Sequence, residues 1–570
     1  MWQGPAWASA TGEAKSDNAS RRMSVPIKVN WTVTLALWLA LIIGLAAPHQ
    51  LHAAELPRLV TKNGRHALYV DGQPYLVLGA QAHNSSNYPS ALPKVWPIVR
   101  QLHANTLEIP VAWEQIEPQE GRFDFSYLDT LLAQARQNDV RLVLLWFGTW
   151  KNTGPSYTPE WVKTNPRRFP RMKKADGTSH YVLSPHHRST LDADKNAFVR
   201  LMQYLRDHDA QNSVIMVQPE NEMGSYGLTR DHAPEADLLF KGAVPAALVR
   251  GLAKQAGTWT QVFGKYAEQA FTSWHMGRYT DEIAAAGKAA KRLPMYANAA
   301  LGDPFNVEGT ISTATGGPQW NMLPLWKVAA PNIDMLSPDI YNRDAKTVSS
   351  YLDSYARTDN ALFIPEIGNA TDYARFFWPT LGKGGIGFAP FGMDATGYSN
   401  FPLGAQALDA TTIEAFASKY RLFNAIHRTW SKIALERPTW GTAKGFPTQS
   451  HSFGRWKVSA EYEQWEFGEA RWLAPDTPPH PTKGKATGGL VVAQLGPDEY
   501  LIAGSDVRVR FGLAQPAAGE NSMLARVEEG TFDAQGRWIM SRVWNGDQTD
   551  YGLNITSEPV LLKVRLATYR

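Results

Sequence analysis

The chain has 570 residues, with 57 Lys and Arg against 53 Asp and Glu, which leaves a formal net charge of +4. That charge is too small and too dispersed to indicate a nucleic-acid partner or attraction to an anionic membrane surface. Cysteine is absent, which excludes disulfides, a thiol nucleophile and thiolate metal sites.

Residues 1–54 are typical of a secretory signal peptide with an N-terminal extension. The basic residues Arg21, Arg22 and Lys28 precede an apolar run from Trp31 to Ala47, and small residues follow at Ala53 and Ala54. This pattern predicts export across the inner membrane to the periplasm, with the extracellular medium as an alternative, and no stable membrane insertion after cleavage. An uncleaved anchor stays open, because the run approaches the roughly 18–20 residues that span a bilayer. Translation starts at Met1 or Met23.

From residue 55 to residue 437, short β-runs alternate with amphipathic stretches, which predicts a mainly parallel sheet covered by helices. The eight candidate strands are Tyr75 to Gln81, Thr106 to Val111, Arg141 to Phe147, Val214 to Pro219, Leu293 to Ala299, Ile333 to Tyr341, Leu362 to Glu366 and Gly385 to Phe391. Eight β/α units over this length predict an α/β fold, the (β/α)8 TIM barrel. A doubly wound open sheet is the alternative, but no Gly-x-Gly-x-x-Gly follows the first strand.

Residues 438–570 have the composition of a separate all-β domain. A Pro, Gly and Lys-rich loop, "TPPHPTKGKATGG", precedes segments such as "LVVAQLGPDEYLIAG" and "VLLKVRLATYR", in which apolar and polar residues alternate. This alternation predicts a C-terminal, sandwich-like accessory domain. The domain either binds polysaccharide or supports the barrel, and no clustered site in its sequence favours binding.

Two glutamates stand where predicted strands end. Glu222 follows the fourth strand in "VIMVQPENEMGSYG", next to Asn221, and Glu366 ends the seventh in "FIPEIGN". Strands four and seven of a TIM barrel face each other across the mouth that holds the active site. A carboxyl pair there suits hydrolysis of glycosidic bonds, in which one group protonates the leaving oxygen and the other attacks or activates water. The competing interpretation is two ordinary surface or salt-bridged glutamates.

The segment "VQPENEMGSYG" resembles the "VQVENEYGSY" signature of glycoside hydrolase family 35, the β-galactosidases, and "NTLEIPVAWEQIEPQEGRFDFS" resembles the family's motif after strand two. The resemblance covers roughly Leu56 to Arg437. It implies that Glu222 is the acid/base, Glu366 the nucleophile and Asn221 a contact of the sugar 2-hydroxyl. It also implies that Tyr341 in "SPDIYN" hydrogen-bonds the nucleophile and that Glu220 supports the site from behind.

The pocket that would select the sugar departs from the family pattern. His83 is retained, but Asn84 replaces a tyrosine, and Trp146, Trp150, Lys151 and Asn152 occupy the region of a missing Ala-Glu pair. After strand two, Trp113 is in place while Glu114 replaces an asparagine. We therefore expect the substrate-binding residues to be Asn221, Tyr341, His83, Asn84, Trp113, Glu114, Trp146, Trp150 and Lys151.

No metal or organic cofactor is expected. His186 and His187 in "SPHHRS", together with His83, look superficially like metal ligands. Adjacent histidines point in different directions in regular structure, however, and the sequence contains no HExxH spacing.

The resemblance to family 35 implies a secreted, retaining, exo-acting β-galactosidase that binds carbohydrate. Similar exported, cysteine-free members of that branch look suited to plant cell-wall glycans, which makes galactosylated xyloglucan the expected substrate. An endo-acting relative, a β-glucanase or β-mannanase, would share both glutamates but need an open groove. The aromatic insertions "GTWKNTGPSYTPEW" and "GTWTQVFGKYAEQAFTSWHMG" look instead like walls that close a pocket. A non-catalytic glycan-binding protein would be expected to have lost one glutamate. The aglycone and the oligomeric state stay open.

Overall fold

The computed structural model describes residues 55–306 and 314–570. The predicted signal peptide, residues 1–54, lies outside the described residues. Within the two described stretches, no helix is both long enough and apolar enough to cross a membrane.

Eight parallel strands form a closed ring. In chain order they are Val77–Gln81, Thr106–Ala112, Arg141–Phe147, Val214–Pro219, Tyr296–Ala300, Met335–Ile340, Phe363–Ile367 and Gly387–Pro390. The eighth strand pairs with the first, and a parallel bridge from Val217 to Met295 joins the fourth to the fifth. The ring confirms the predicted TIM barrel, and the doubly wound alternative is wrong. Every predicted strand overlaps one of the eight.

Helices connect the strands and cover the outside of the barrel. The longer ones are Leu92–Gln101, Ser126–Gln137, Arg188–His208, Pro234–Lys241, Ala267–Ala290, Ala345–Tyr355, Ala410–Asn424 and His427–Glu436. The shorter ones are Trp113–Ile116, Glu160–Lys163, Ala246–Gly251, Trp259–Phe263, Leu323–Ala329 and Phe377–Gly382. Their inner faces are apolar at helical spacing, as in Ser126–Gln137, where Leu128, Leu131, Leu132 and Ala135 are buried.

A three-stranded antiparallel sheet, Arg58–Lys62, Arg65–Val70 and Gln73–Tyr75, leads into the first barrel strand. Leu68 and Val70 of this sheet share one buried cluster with Val143 and Phe363 of the barrel strands. The N-terminal sheet therefore packs over the amino end of the barrel, and the carboxyl ends of the strands are left for the site. Two short pairs lie in loops, Arg171–Lys173 with Ser179–Leu183 and Gly224–Ser225 with Thr315–Gly316.

The C-terminal region consists of two antiparallel sheets, which confirms the predicted all-β architecture. One sheet runs in the order Thr439–Ala443, Gly489–Gly496, Glu499–Ser505, Val560–Tyr569, Asn521–Phe532 and Trp538–Val543. The other runs in the order Ser450–Phe453, Trp456–Glu461, Val507–Leu513 and Leu553–Ile555. Leu490 and Val492 point into the core between the sheets, whereas Val491 and Ala493 join the barrel core. Alternate residues of one strand thus serve both cores.

The barrel helix Phe377–Gly382 makes the closest contact with this sheet. A methyl group on Gly382 would lie 2.0 Å from Gly441 N, so the two backbones touch directly. Thr439 Oγ1 donates a hydrogen bond to Gly382 O at 2.9 Å. Because this helix follows the seventh strand, the C-terminal domain contacts the segment that comes after Glu366.

Candidate active site

Three carboxyl groups lie together at the carboxyl end of the barrel. Glu222 follows the fourth strand, Asp339 belongs to the sixth and Glu366 to the seventh. All three are buried, and oxygen atoms from the three groups lie within 4.8 Å of one another. Sequence reasoning singled out Glu222 and Glu366; the structure adds Asp339.

The chain turns sharply as it leaves the fourth strand. Glu220 has φ = +64° and Glu222 has φ = +43°, the left-handed region that residues other than glycine rarely adopt. Such conformations cost on the order of 1–3 kcal/mol each and persist where the surroundings hold them. Asn221 N donates to Trp150 O at 3.2 Å, and Thr153 N donates to Glu222 O at 3.1 Å. The loop after the third strand therefore fixes the position of Glu222.

Glu366 accepts a hydrogen bond at each carboxylate oxygen. The Tyr341 hydroxyl donates to Oε1 at 2.6 Å, and Gln81 Nε2 donates to Oε2 at 2.9 Å. These donors come from the segment after strand six and from the end of strand one, so they hold the carboxylate from two sides of the barrel.

Asn298, in the fifth strand, connects the other two carboxyl residues. Its Oδ1 accepts a hydrogen bond from Glu222 N at 2.9 Å, and its Nδ2 donates to Asp339 Oδ2 at 2.5 Å. One amide thus orients both the backbone that carries Glu222 and the side chain of Asp339.

Burial and mutual repulsion change the acidity of this cluster. Burial, with Glu366 close by, raises the pKa of Glu222 to about 7, while the Lys151 ammonium opposes the rise. Burial also raises the pKa of Asp339 well above its usual range, and the neighbouring Glu366 and Glu222 add to the effect. At neutral pH the cluster therefore holds protons, and Glu222 is able to donate one.

Among residues 55–306 and 314–570, these three carboxyl groups form the set whose geometry could hold a metal ion. Oxygen ligands of this kind suit Mg²⁺ or Ca²⁺, but both Glu366 oxygens and one Asp339 oxygen already accept hydrogen bonds from Tyr341, Gln81 and Asn298. The three histidines considered from the sequence lie outside the set. His83 pairs with Asp394, His187 with Glu235, and the His186 ring packs 4.5 Å from that of His275.

Glu220 lies behind the site and anchors the loop that holds Glu222. Its Oε2 accepts a hydrogen bond from Trp150 N at 2.7 Å. Burial and the neighbouring Asp194 carboxylate raise the pKa of Glu220 well above its usual range. Asp194 in turn accepts hydrogen bonds from Trp146 Nε1 at 2.8 Å and Thr149 N at 2.9 Å.

The carboxyl cluster opens into a cavity of about 650 Å³, whose other walls include Asn84, Lys151, Asn152, Tyr226, Asp303, Tyr341, Tyr351, Phe391 and Tyr398. A second cavity of about 760 Å³ shares Asn84, Lys151 and Asn152 with the first and continues past Tyr157, Arg171 and Tyr181. A third, about 1000 Å³, lies between the barrel and the C-terminal domain and contains none of the three carboxyl groups.

The structure corrects the expectation for three tryptophans. Trp113, Trp146 and Trp150 are each 0% exposed and line neither of the two adjoining cavities. Their indole N–H groups donate within the protein, to Glu117 Oε2, Asp194 Oδ1 and Leu183 O respectively. A tryptophan that packs beneath a site has the same sequence pattern as one that faces the substrate, so the sequence could not separate the two roles.

Glu114 and one predicted wall also lie away from the cavities. Glu114 forms an ion pair with Lys163 at 2.7 Å and lines neither adjoining cavity. Residues 257–277 form the helix Trp259–Phe263 and the start of Ala267–Ala290 and contribute to neither wall. The other predicted wall does contribute, through Lys151, Asn152 and Tyr157.

The remaining predicted residues lie at or beside the cavities. Asn84 and Lys151 line both of them. Asn221 is fully buried, and its Oδ1 accepts a hydrogen bond from Lys151 Nζ at 2.8 Å. His83 sits one layer behind the wall, with its ring 5.3 Å from that of Phe391.

Gln81, Asn298 and Asp339 are site residues that sequence reasoning missed. All three stand near the carboxyl ends of strands that were predicted, in "YLVLGAQ", "LPMYANA" and "IDMLSPDIY". A polar side chain at such a position was the available signal, because strand carboxyl ends meet at one mouth.

Comparison with known proteins supports a glycosidase. Residues 91–289 match the Glyco_hydro_42 family model, described as "Beta-galactosidase", and residues 416–556 match a "Domain of unknown function (DUF5597)". A β-galactosidase of Xanthomonas manihotis is 30% identical over 175 residues, which cover 29% of this chain and 26% of that protein. The β-galactosidase BgaA of Thermus sp is 26% identical over 168 residues, which cover 28% of this chain and 24% of that protein. The chain thus spans about a quarter of the length of these relatives.

Two solved structures are also similar. The cold-adapted β-galactosidase of Rahnella sp. R3 has a TM-score of 0.45 at 15% identity, over 65% of this chain and 59% of that one. The catalytic domain of a Paenibacillus polymyxa β-amylase has a TM-score of 0.45 at 13% identity, over 60% of this chain and 98% of that one. The family match supports a β-galactosidase type of glycoside hydrolase. The narrower family 35 resemblance stays a prediction.

Proposed function

We propose that this protein is a retaining β-galactosidase in which Glu222 is the acid/base and Glu366 the nucleophile. The observation that carries the proposal is the pair of buried carboxyl groups, from strands four and seven, in one cavity. Their oxygens approach within 4.8 Å, which favours the retaining spacing of about 5–5.5 Å over the inverting one of about 6.5–9.5 Å.

The reaction would proceed in two steps. A Glu366 oxygen bonds to the anomeric carbon as the glycosidic bond breaks, and Glu222 gives its proton to the leaving oxygen. Glu222, now ionised, removes a proton from water, whose oxygen displaces Glu366 and releases the sugar with retained configuration. Tyr341 and Gln81 hold Glu366 in place for the attack, and Asn221 meets the 2-hydroxyl.

We assign catalysis to residues 55–437 and an accessory, supporting role to residues 438–570. The proposed substrates are terminal β-galactosides of plant cell-wall glycans, with galactosylated xyloglucan as the candidate, and the family 35 resemblance supports this choice. The basic and apolar pattern of residues 1–54 supports export to the periplasm.

The test is the initial rate of nitrophenol release from a panel of nitrophenyl glycosides, β-galactoside included. Wild type, Glu366→Ala and the control Glu120→Gln would be compared, because Glu120 forms an exposed ion pair with Arg168 away from the site. We expect β-galactoside turnover by wild type and control, its loss in Glu366→Ala, and a β-configured first product by proton NMR. Turnover of a different glycoside alone would overturn the galactose assignment, and an α-configured first product would overturn retention.

An endo-acting glycanase is the second candidate, and the adjoining cavity of about 760 Å³ favours it. Two adjoining cavities that share Asn84, Lys151 and Asn152 offer room for more than one sugar unit. Chromatography of products from galactosylated xyloglucan separates the two candidates. Free galactose as the sole early product supports the exo mode, and early oligosaccharides with a falling chain length support the endo mode.

A further inference from the structure

Lys151 occupies an unusual position for a lysine, since it is 5% exposed in the wall of the catalytic cavity. Its ammonium donates to Asn221 Oδ1 at 2.8 Å and to the side-chain oxygen of Asn152. Reciprocal main-chain hydrogen bonds with Gly154, of 2.8 and 3.0 Å, close the tight turn that carries it. The lysine is therefore held in one orientation beside the acid site.

This contact determines how the Asn221 amide is oriented. An ammonium group carries only donors, so the side-chain oxygen of Asn221 must face Lys151. The amide NH2 then points elsewhere, and this buried nitrogen has no hydrogen-bond partner within the described part of the chain. A buried donor left unpaired costs about 1–3 kcal/mol, so Asn221 is prepared to donate to an acceptor that arrives with the substrate.

Lys151 also brings a positive charge to a cluster of acids. It opposes the rise in pKa of both Glu222 and Asp339. The other titratable groups that face Glu222 are Glu366, Asp339 and the hydroxyls of Tyr226 and Tyr341, and none of them is a cation. Without Lys151, the negative charges would leave Glu222 a weaker acid.

We propose that Lys151 is a positioning residue for the catalytic reaction, an inference that rests on the proposed function. It orients Asn221 so that the amide NH2 meets the 2-hydroxyl of the reacting sugar, and its charge keeps Glu222 acidic enough to protonate the leaving oxygen near neutral pH. Lys151 itself does not touch the sugar.

The test combines a variant with a modified substrate. Wild type, Lys151→Met and Lys151→Arg are assayed on nitrophenyl β-galactoside and its 2-deoxy analogue across pH. Lys163→Met is the matched control, because Lys163 pairs with Glu114 outside the cavities. In Lys151→Met, the penalty for removing the 2-hydroxyl should shrink by about tenfold, and the alkaline limb of kcat/KM should move up by about one pH unit or more. Lys163→Met and Lys151→Arg should keep both wild-type values.

A second measurement does not depend on turnover. The carbon-13 carboxyl signal of Glu222, identified by its loss in Glu222→Gln, should titrate about one pH unit or more higher in Lys151→Met than in wild type. If wild type leaves galactosides intact, the proposed function falls, and this titration still tests the charge effect. An unmoved Glu222 titration or an unchanged 2-deoxy penalty in a folded Lys151→Met overturns the inference, even if the rate falls.

Discussion

At the scale of single residues, the proposed mechanism requires Glu222 to carry a proton when substrate binds. Burial beside Glu366 raises its pKa to about 7, so kcat/KM on nitrophenyl β-galactoside should fall by about tenfold per pH unit above that value. A pH series of initial rates from pH 4 to pH 10 checks this. Glu120→Gln should leave the profile unchanged, and a profile that stays level to pH 10 would contradict Glu222 as the acid.

Trp113 was expected to bind the sugar, but in the structure it is buried in the core. Trp113→Phe removes the donor to Glu117 Oε2, so we expect a loss of about 1–3 kcal/mol in the free energy of unfolding with KM essentially unchanged. Denaturant unfolding and steady-state kinetics measure the two quantities. Trp472→Phe is the control, since Trp472 is 53% exposed and its replacement should cost under about 0.5 kcal/mol. A raised KM with intact stability would restore the original expectation.

Sequence patterns could predict those site residues that a motif carries. Glu222 and Glu366 were accessible because a carboxylate after a buried β-run is itself a signal. Asp339 was passed over in favour of Tyr341, two positions later in the same segment. The contact of Lys151 with Asn221 joins loops 70 positions apart, and no local pattern encodes such a pairing.

At the scale of elements, all eight barrel strands were predictable, because strands buried on both faces form short apolar runs. The ends of the strands were harder to predict from the sequence. The fifth strand was expected from Leu293 and begins at Tyr296, since Pro294 has no N–H to give to the ladder. Residues 257–277 were expected to be a wall because of their aromatic side chains, but most of these pack against the barrel as parts of helices.

The contact between helix Phe377–Gly382 and the C-terminal sheet depends on the absence of a side chain at Gly441. A methyl group there would lie 2.5 Å from Trp378 O and 3.0 Å from Leu490 O, both backbone atoms that cannot swing aside. Gly441→Ala should therefore lower the melting temperature by about 1–3 °C, because overpacking costs about 1–3 kcal/mol and a cooperative unit of this size shifts by about 1 °C per kcal/mol. Gly512→Ala, on another strand of the same domain with nothing within 4 Å of the added carbon, should change it little. Equal effects of the two substitutions would contradict the close contact.

At the scale of the whole molecule, barrel and C-terminal domain share one apolar core, since Val491, Ala493 and Leu501 cluster with barrel residues. Unfolding either part exposes surface of the other. We expect calorimetry to record one cooperative transition, so that a change inside the barrel is measured as a change in the stability of the whole chain. Two separated transitions would contradict this coupling.

That coupling makes the pH dependence of stability a test of the barrel interior. Glu108, in the second strand, is 0% exposed, and its Oε1 has no hydrogen-bond partner among the described residues. Burial, with Glu366 nearby, raises the pKa of Glu108 well above its usual range. Above about pH 4.3, the ordinary pKa of a glutamate, the unfolded chain has lost a proton that the folded chain keeps. Stability therefore falls as pH rises, by up to about 1.4 kcal/mol per pH unit, until the folded-state pKa is passed.

Glu108→Gln preserves the shape of the protonated side chain and removes this titration. The difference in melting temperature, variant minus wild type, should therefore increase as pH rises above about 4.3 and level off once the folded-state pKa of Glu108 is passed. Glu160→Gln, at an exposed position at the start of a short helix, should give a difference that hardly changes with pH. If the melting temperatures of Glu108→Gln and wild type instead change in parallel with pH, Glu108 is ionised inside the barrel and a partner compensates its charge. The packing around Oε1 provides no such partner among the described residues.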